Sequence, residues 1–335
     1  MSYQYFQGNS VHDLVKASTA RSFSEIVDAL RKDVVKADGM SEVTRAANVV
    51  ALLGQLKLRE AGAQIGQSKS AAAVSKAAGV MIDGKKVTLE LMAEDDAADP
   101  KQGTAVAQKL VDAKVAGVVG HLNSGTTIPA SKIYSGAGIP QVSPSATNPK
   151  YTRQGFKTAF RLVADDAQLG GTLGKYAVGT LKGKSIAVID DRTAYGQGVA
   201  EEFTKAVEAA GGKVVAKEFT TDKATDFNSI LTTIKGKKPD VVFFGGMDAV
   251  AGPMLKQMKS LGIKAKFMGG DGICTAELPK LAGDAMADGQ VVCAEAGGVE
   301  GDQKKAAADF GVRFQKRFND DVKLYAPYVY DAVNV

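Results

Sequence analysis

Tryptophan is absent from this chain, and histidine and cysteine occur only twice each. Tyr and Phe sit mostly in apolar runs, so the chain lacks the aromatic platforms on which single-stranded nucleic acid stacks. The balance of 42 basic against 37 acidic side chains gives a net charge of +5 over 335 residues, too dilute for a nucleic-acid footprint. Nucleic acid is therefore not an expected partner. No stretch of about 18 apolar residues is present to span a membrane. The N-terminal MSYQYFQGNSVHDLVKAS has no basic head, apolar middle or small-residue cleavage site, so no signal peptide is read from it. With His12 and His121 alone and no CxxC motif, neither a metal nor a cofactor is expected. Cys274 and Cys293 are compatible with one bridge worth about 3 kcal/mol in an oxidising compartment, or with two buried thiols in the cytosol. The residues by themselves favour the thiols.

What is present describes a globular protein. Hydrophobic residues make up 45% and charged ones 24%, close to ordinary usage. At about 150 residues per domain the length suggests roughly two domains, each large enough for a core. From Lys85 onward strand and helix patterns alternate. KKVTLELMAED alternates apolar and polar residues through Val87, Leu89 and Leu91, and QGTAVAQKLVDAKV then places Ala105, Leu110, Val111 and Val115 near helical spacing. AGVVGH reads as a strand, TTIPASKIYSGAG as a short helix and IPQVSP as a strand. A second set follows: helix AQLGGTLGKYAVGTL, strand SIAVID, helix GVAEEFTKAVEAAG, strand KVVAKEF, helix DFNSILTTIKGK, strand DVVFFGG, helix AGPMLKQMKSLG, strand KAKFMGG. Short apolar strands separated by helices predict two doubly wound parallel-sheet lobes of an α/β fold.

The first 65 residues break that rhythm. Ser22 and Glu25 stand at capping-box spacing before Ile26, Val27, Leu30 and Val34, which predicts an amphipathic helix. SEVTRAANVVALLGQLKLREAG reads as a second helix capped by Ser41, or as a buried strand within VVALLGQL; periodicity does not separate the two.

Three chemistries compete for the hydroxyl-rich strand end VVGHLNSGTTIPAS. His121 three residues before Ser124 invites a base and nucleophile, but side chains at a strand end diverge and no GxSxG elbow surrounds the serine. A packed histidine at the strand terminus is the simpler expectation. For phosphate, GTLKGKS has three residues between its glycines rather than the four of a P-loop, and a helix precedes it. YGQGVAEE has a Glu where the third glycine of GxGxxG belongs; both stretches are expected to be turns. A socket for a small polar ligand remains. QVSPSATNP ends another strand with Ser143, Ser145 and Thr147, and both clusters can face one crevice outside the carboxyl ends of the strands. Hydroxyls and backbone N–H groups there suit a carboxylate, while Asp271 in FMGGDG offers an acceptor-only group for an ammonium. The two ends together fit an α-amino acid.

The segments GKKVTLELMAEDDAADPKQGTAVAQKLVDAKVAGVVGHLNSGTTIPASKIY, QVSPSATNPKYT, FRLVADDAQLGG, AVIDDRTAYGQGVAEEF, DVVFFGGMDAVAGPMLKQM and GGDGICTAEL together resemble the branched-chain amino acid binding proteins of bacterial ABC transporters. The resemblance runs from about Val80 to Val335 with the motifs in family order. It implies a type I periplasmic binding fold, two α/β lobes joined by a hinge that close on a ligand, with no catalysis. Expected boundaries are 1–48 for an atypical helical N-terminal segment, 49–165 with 292–335 for the first lobe, and 166–291 for the second. Carried over by motif, Ser124 and Thr147 would hold the ligand carboxylate, with Ser145 and Ala146 beside them. Tyr195 and Asp271 would take the amino group, and Met247 and Tyr325 would line the side-chain pocket. Asp166 would mark the hinge, and Cys274 and Cys293 are more readily paired in this family's oxidising periplasm. The implied partner is a membrane ABC permease, and a monomer is expected. The family's first strand and its Pro/Ser/Gly-rich loop are not recognisable, with GAQIGQSKSAAAVSKAAG resembling a shortened first helix and Ile65 in an aromatic's place. YVYDAVNV falls within an expected helix ahead of the family's final elements. A competing expectation is a rearranged or fused scaffold or sensor whose N-terminal face of Ile26, Leu30 and Val34 binds a protein partner.

Overall fold

The computed structural model describes residues 92–286, 289–298, 303–319 and 321–332, and the backbone of 80–82, 85–87, 302 and 333–334. The expected N-terminal helices, the 1–48 segment and Ile65 lie outside the described residues, as do Leu89 and Leu91. The chain divides into two compact units. One consists of Thr147–Pro149 and Ala164–Gly298; the other holds Lys150–Val163 and the described residues before Thr147 and after Gly298. These divisions fall at Ala164 and after Gly298, where the expected lobe boundaries were 165/166 and 291/292.

The second of these units, in chain terms the outer one, opens with strands β1 (Val80–Ile82) and β2 (Lys85–Val87), paired antiparallel. KKVTLELMAED was expected to form one strand of a parallel set; of its described residues, Lys85–Val87 are instead the second, antiparallel strand of this pair, and 92–95 are not in a strand. Helix α1 (Pro100–Asp112) follows, and its start is written in the sequence. Asp99 Oδ1 accepts from the N–H groups of Lys101 and Gln102, both at 2.9 Å, and Pro100 occupies the first turn where no N–H partner exists. β3 (Val118–Val119), helix α2 (Ser124–Gly136), β4 (Gln141–Ser143), the short helix α3 (Lys150–Arg153) and β5 (Ala159–Arg161) come next. β3, β4 and β5 form a parallel three-stranded sheet in that order. Val106, Leu110, Val118, Tyr134 and Ile139 pack its core. Helices α9 (Asp302–Phe318) and α10 (Ala326–Asn334) complete this unit.

The five-stranded unit alternates α4 (Asp166–Gly179), β6 (Ser185–Asp190), α5 (Ala194–Ala209), β7 (Lys213–Phe219), α6 (Asn228–Lys237), β8 (Val241–Gly245), α7 (Asp248–Ser260), β9 (Lys266–Gly269), α8 (Leu278–Ala282) and β10 (Val291–Cys293). Its sheet is wholly parallel in the order β10-β9-β8-β6-β7. The expected α/β fold of doubly wound parallel sheets is the one observed. β8 is buried along its whole length, as its unbroken apolar run requires of a strand covered on both faces. Helices α4 and α5 approach closely where α4 has no side chains: a Cβ on Gly170 would lie 2.8 Å from Phe203 N, and one on Gly174 would lie 2.6 Å from Ala206 Cβ. Phe203 stacks on Phe243 beneath them, ring centroids 3.8 Å apart.

Two local expectations change. YGQG is not a turn: Thr193 caps α5, its hydroxyl accepting from Gly196 N–H at 2.9 Å, so Tyr195 and both glycines lie in the helix's first turns. Cys274 and Cys293 are not thiols but a disulfide with Cα atoms 5.6 Å apart, as the family resemblance implied. Among the described residues no helix is long and apolar enough to cross a membrane.

Candidate functional site

In the three-stranded unit the polar residues gather where β3 and β4 end. Ser124 is the first residue of α2 and is buried. The first N–H groups of a helix have no partner within it and carry partial positive charge, which suits a carboxylate. Most of the neighbouring hydroxyls are already engaged in shaping the loop. Thr127 Oγ1 donates to His121 O at 3.1 Å and Ser143 Oγ donates to the same carbonyl at 2.9 Å. Ser143 Oγ also accepts from the Ala146 N–H at 3.0 Å, and Ser145 Oγ donates to Leu122 O at 2.9 Å. Thr126 and Ser131 donate to carbonyls within their own helix turn. The hydroxyl abundance that pointed to a ligand socket is therefore largely the wiring that holds the loop.

His121 is buried between two partners. Its Nδ1 lies 2.7 Å from Asp96 Oδ2 and its Nε2 lies 3.1 Å from the Tyr134 hydroxyl. Because a carboxylate only accepts, Nδ1 carries the proton, and in the neutral ring Nε2 receives the Tyr134 O–H. Both ring nitrogens are thereby occupied by groups other than Ser124. Burial works against the Asp96 carboxylate, yet hydrogen bonds from His121 and the Ala98 N–H hold its pKa below the ordinary value. Burial pushes the Tyr134 phenol well up, with the Asp96 charge adding to the effect. Tyr325 stands half-buried at the start of α10 in this unit, its carbonyl accepting from Val329 N–H at 2.9 Å.

In the five-stranded unit, α5 and the 3-10 turn Asp271–Ile273 after β9 meet. Tyr195 O–H donates to Asp271 Oδ1 at 2.8 Å and accepts from Gly272 N–H at 2.9 Å. Tyr195, Met247 and Gly272 share one spot, since a Cβ on Gly272 would lie 2.8 Å from Met247 Sδ and 2.9 Å from Tyr195 Cε1. Burial, then the Asp271 charge, pushes the Tyr195 phenol far above its ordinary range, so it stays a hydrogen-bond donor. Asp166 is fully buried at the start of α4, and its N–H donates to Thr147 O at 2.8 Å. Thr147 is also fully buried, and its Oγ1 has no hydrogen-bond partner in the protein.

The structure thus brings Ser124, Ser145 and Ala146 together in one unit and Tyr195, Met247 and Asp271 together in the other. Thr147 and Asp166 belong with the second group. Sequence reasoning passed over Glu295. β10 pairs with β9 so that Cys293 sits opposite Gly269, and Glu295 and Asp271 each follow two residues later. Burial, then the Asp271 charge, raises the Glu295 carboxyl above its ordinary value. An isolated Glu in VVCAEAGG carries no motif that would have marked it.

Known proteins are similar to this chain in sequence and in structure. Leu/Ile/Val-binding protein homolog 1 of Brucella abortus (strain 2308) is 43% identical over 228 residues, 68% of this chain and 60% of that protein, so the match spans three fifths of the relative's length. The leucine-, isoleucine-, valine-, threonine-, and alanine-binding protein of Pseudomonas aeruginosa is 37% identical over 262 residues, 78% of this chain and 68% of that one. Among solved structures, the branched-chain amino acid transporter substrate binding protein LivJ from Streptococcus pneumoniae, in complex with isoleucine, matches with a TM-score of 0.67 and 25% identity over 86% of this chain and 76% of its own. The family model described as periplasmic binding protein matches residues 54–335, and with the parallel-sheet units and the paired cysteines already in view, this chain belongs to that family.

Proposed function

We propose that the chain reversibly binds a small α-amino acid, of the branched-chain aliphatic class, without transforming it, and delivers it to a membrane ABC permease. The observation that carries this reading is the buried Asp271 carboxylate, fixed by the Tyr195 hydroxyl at 2.8 Å. A carboxylate held in this way is an acceptor-only group suited to an ammonium, and burial strengthens each charge–charge contact there. The Thr147 hydroxyl, buried with no partner in the protein, is left to donate to a ligand carboxylate, since an unmatched buried donor costs about 1 to 3 kcal/mol. In the three-stranded unit, Ser124, the first residue of α2, and the Ser145–Ala146 backbone are further groups suited to a carboxylate. Met247, half-buried beside Tyr195, gives an apolar wall, and Tyr325 contributes to the side-chain pocket. The Brucella and Pseudomonas relatives are named for binding leucine, isoleucine and valine, which sets the ligand class proposed here. The Cys274–Cys293 bridge favours an oxidising compartment, the periplasm. A monomer suffices for this role.

The test is a thermal-shift screen of the purified chain against leucine, isoleucine, valine, the other amino acids and small carboxylates, repeated with Asp271→Ala. A ligand at 100 times its dissociation constant stabilises the fold by about 2.7 kcal/mol. A shift with a branched-chain amino acid that disappears in Asp271→Ala is the expected result. A cooperative melt that no amino acid moves would overturn the proposal.

A further inference from the structure

We infer that His121 is a positioning residue for the carboxylate-binding loop, a role that rests on the amino-acid reading above and acts through Ser124. The His121 ring is clamped from two directions. Asp96 holds Nδ1 at 2.7 Å from the loop that precedes α1, and Tyr134 holds Nε2 at 3.1 Å from the third turn of α2. Its backbone is clamped as well, because its carbonyl accepts from both Thr127 Oγ1 and Ser143 Oγ. The residue three positions before Ser124 is thus fixed through ring and main chain alike. Three more bonds pass the constraint along the same loop. Leu122 O accepts from Ser145 Oγ, and Asn123 O accepts from the N–H groups of Thr126 at 3.1 Å and Thr127 at 2.9 Å. Hydrogen bonds at His121, Leu122 and Asn123 thus restrict the loop between β3 and α2, and with it where Ser124 and the first N–H groups of α2 sit.

The arrangement resembles a catalytic relay of carboxylate, imidazole and hydroxyl but does not act as one. The Tyr134 hydroxyl at its far end is fully buried and its phenol is pushed up by burial, so it offers no nucleophile to a substrate. What the relay supplies is preorganisation: a site whose groups are already placed loses less conformational freedom when a ligand arrives. Asp96 itself is held through the turn at Ala97 and Ala98, both with positive φ, with the Ala98 N–H donating back to its Oδ1 at 2.9 Å. The DDAADPKQ stretch, remote in sequence from Ser124, is thereby tied to the loop.

Two measurements on the whole chain test this, one of them independent of ligand. Hydrogen–deuterium exchange in the absence of ligand is expected to speed up at the Thr126 and Thr127 amides in His121→Ala, and to return towards wild type in His121→Asn, whose amide keeps a donor near Asp96. Calorimetric titration with leucine, at a temperature where every variant is folded, is expected to show about a tenfold weaker Kd for His121→Ala, or ~1.4 kcal/mol, with most of the loss regained in His121→Asn. Gly174→Ala, which lowers stability from the other unit, is the control and keeps the wild-type Kd. Unchanged exchange at Thr126 and Thr127 in His121→Ala would overturn the inference. So would a His121→Ala Kd within twofold of wild type alongside a melting temperature lowered as in Gly174→Ala. If the wild-type chain binds no amino acid, the receptor reading fails on its own, and the exchange experiment still decides whether His121 holds the loop.

Discussion

The Tyr195 hydroxyl stands between Asp271 Oδ1 and the Gly272 N–H, donating to one at 2.8 Å and accepting from the other at 2.9 Å. One phenol thus fixes both the carboxylate and the backbone of the turn that carries it. Tyr195→Phe removes this single oxygen and with it both the bond to Asp271 Oδ1 and the bond from the Gly272 N–H. The expected cost is about 1 to 3 kcal/mol of stability in urea unfolding, together with weaker amino-acid binding. A variant as stable as wild type would show that the turn is held by other contacts.

Buried phenols make the fold sensitive to alkali. Burial raises the Tyr134, Tyr151 and Tyr195 hydroxyls above the ordinary value near 10. In the unfolded chain these groups lose their protons first, so between the unfolded and folded pKa values the unfolded state binds fewer protons and stability falls as pH rises. From these phenols, urea midpoints are expected to change little between about pH 7 and 9 and to drop above about pH 10. Single Tyr→Phe variants would each reduce the slope.

Two aspartates respond to acid with opposite signs. Asp96 has a folded pKa depressed below 3.8, so its contribution is present above that value and is lost as pH falls through the folded pKa. Asp191 is raised above 3.8, by burial first, with its Oδ2 buried and without a partner. Its contribution is present below the unfolded value and is lost as pH climbs through the folded one. Denaturant midpoints from pH 2.5 to 7 are expected to fall less in acid for Asp96→Asn than for wild type. Asp191→Asn is expected to gain stability towards neutrality.

The Cys274–Cys293 bridge closes a short loop, sequence separation 19, between the Asp271 turn and β10. Reduction or a double Cys→Ser change is expected to cost about 3 kcal/mol. Melting with and without a reductant reads this directly, and equal melting temperatures would count against a structural role.

The α4–α5 contact predicts a contrast among three neighbouring glycines. Gly170→Ala and Gly174→Ala each push a methyl into α5, at 2.8 Å or less from the nearest atom. Overpacking of this kind costs about 1 to 3 kcal/mol. Gly171 meets nothing within 4 Å, and Gly171→Ala is expected to be neutral or to stabilise by up to about 1 kcal/mol through helix propensity. Chemical denaturation of the three variants checks the order.

Much of the fold was legible because its causes are local. Period-two and apolar runs marked SIAVID, KVVAKEF and DVVFFGG, and each forms a parallel strand at or within a residue or two of the expected place. Amphipathic spacing marked α1 and α4 to α7, and Asp99 before Pro100 marks the start of α1 through bonds to residues two and three positions away. Short strands fared less well. β5 was not foreseen, and Lys85–Val87 of KKVTLELMAED pair antiparallel, because a three-residue segment leaves the choice of partner to the rest of the unit.

What the sequence by itself determined is the alternation of strands and helices and the composition of the polar strand ends. The tertiary structure decided what those polar groups do. The proton of Ser143 goes to His121 O, 22 positions away, and that of Ser145 to Leu122 O, 23 positions away. His121 meets Asp96 across 25 positions, and Tyr195 meets Asp271 across 76. Likewise two cysteines that the residues by themselves favoured as thiols form a bridge, their Cα atoms 5.6 Å apart. The physical reason is the range of the forces that specify each feature. Backbone geometry and burial periodicity act over a few residues. A hydrogen bond or a disulfide forms only where packing brings two distant groups within about 3 Å or 6 Å of each other.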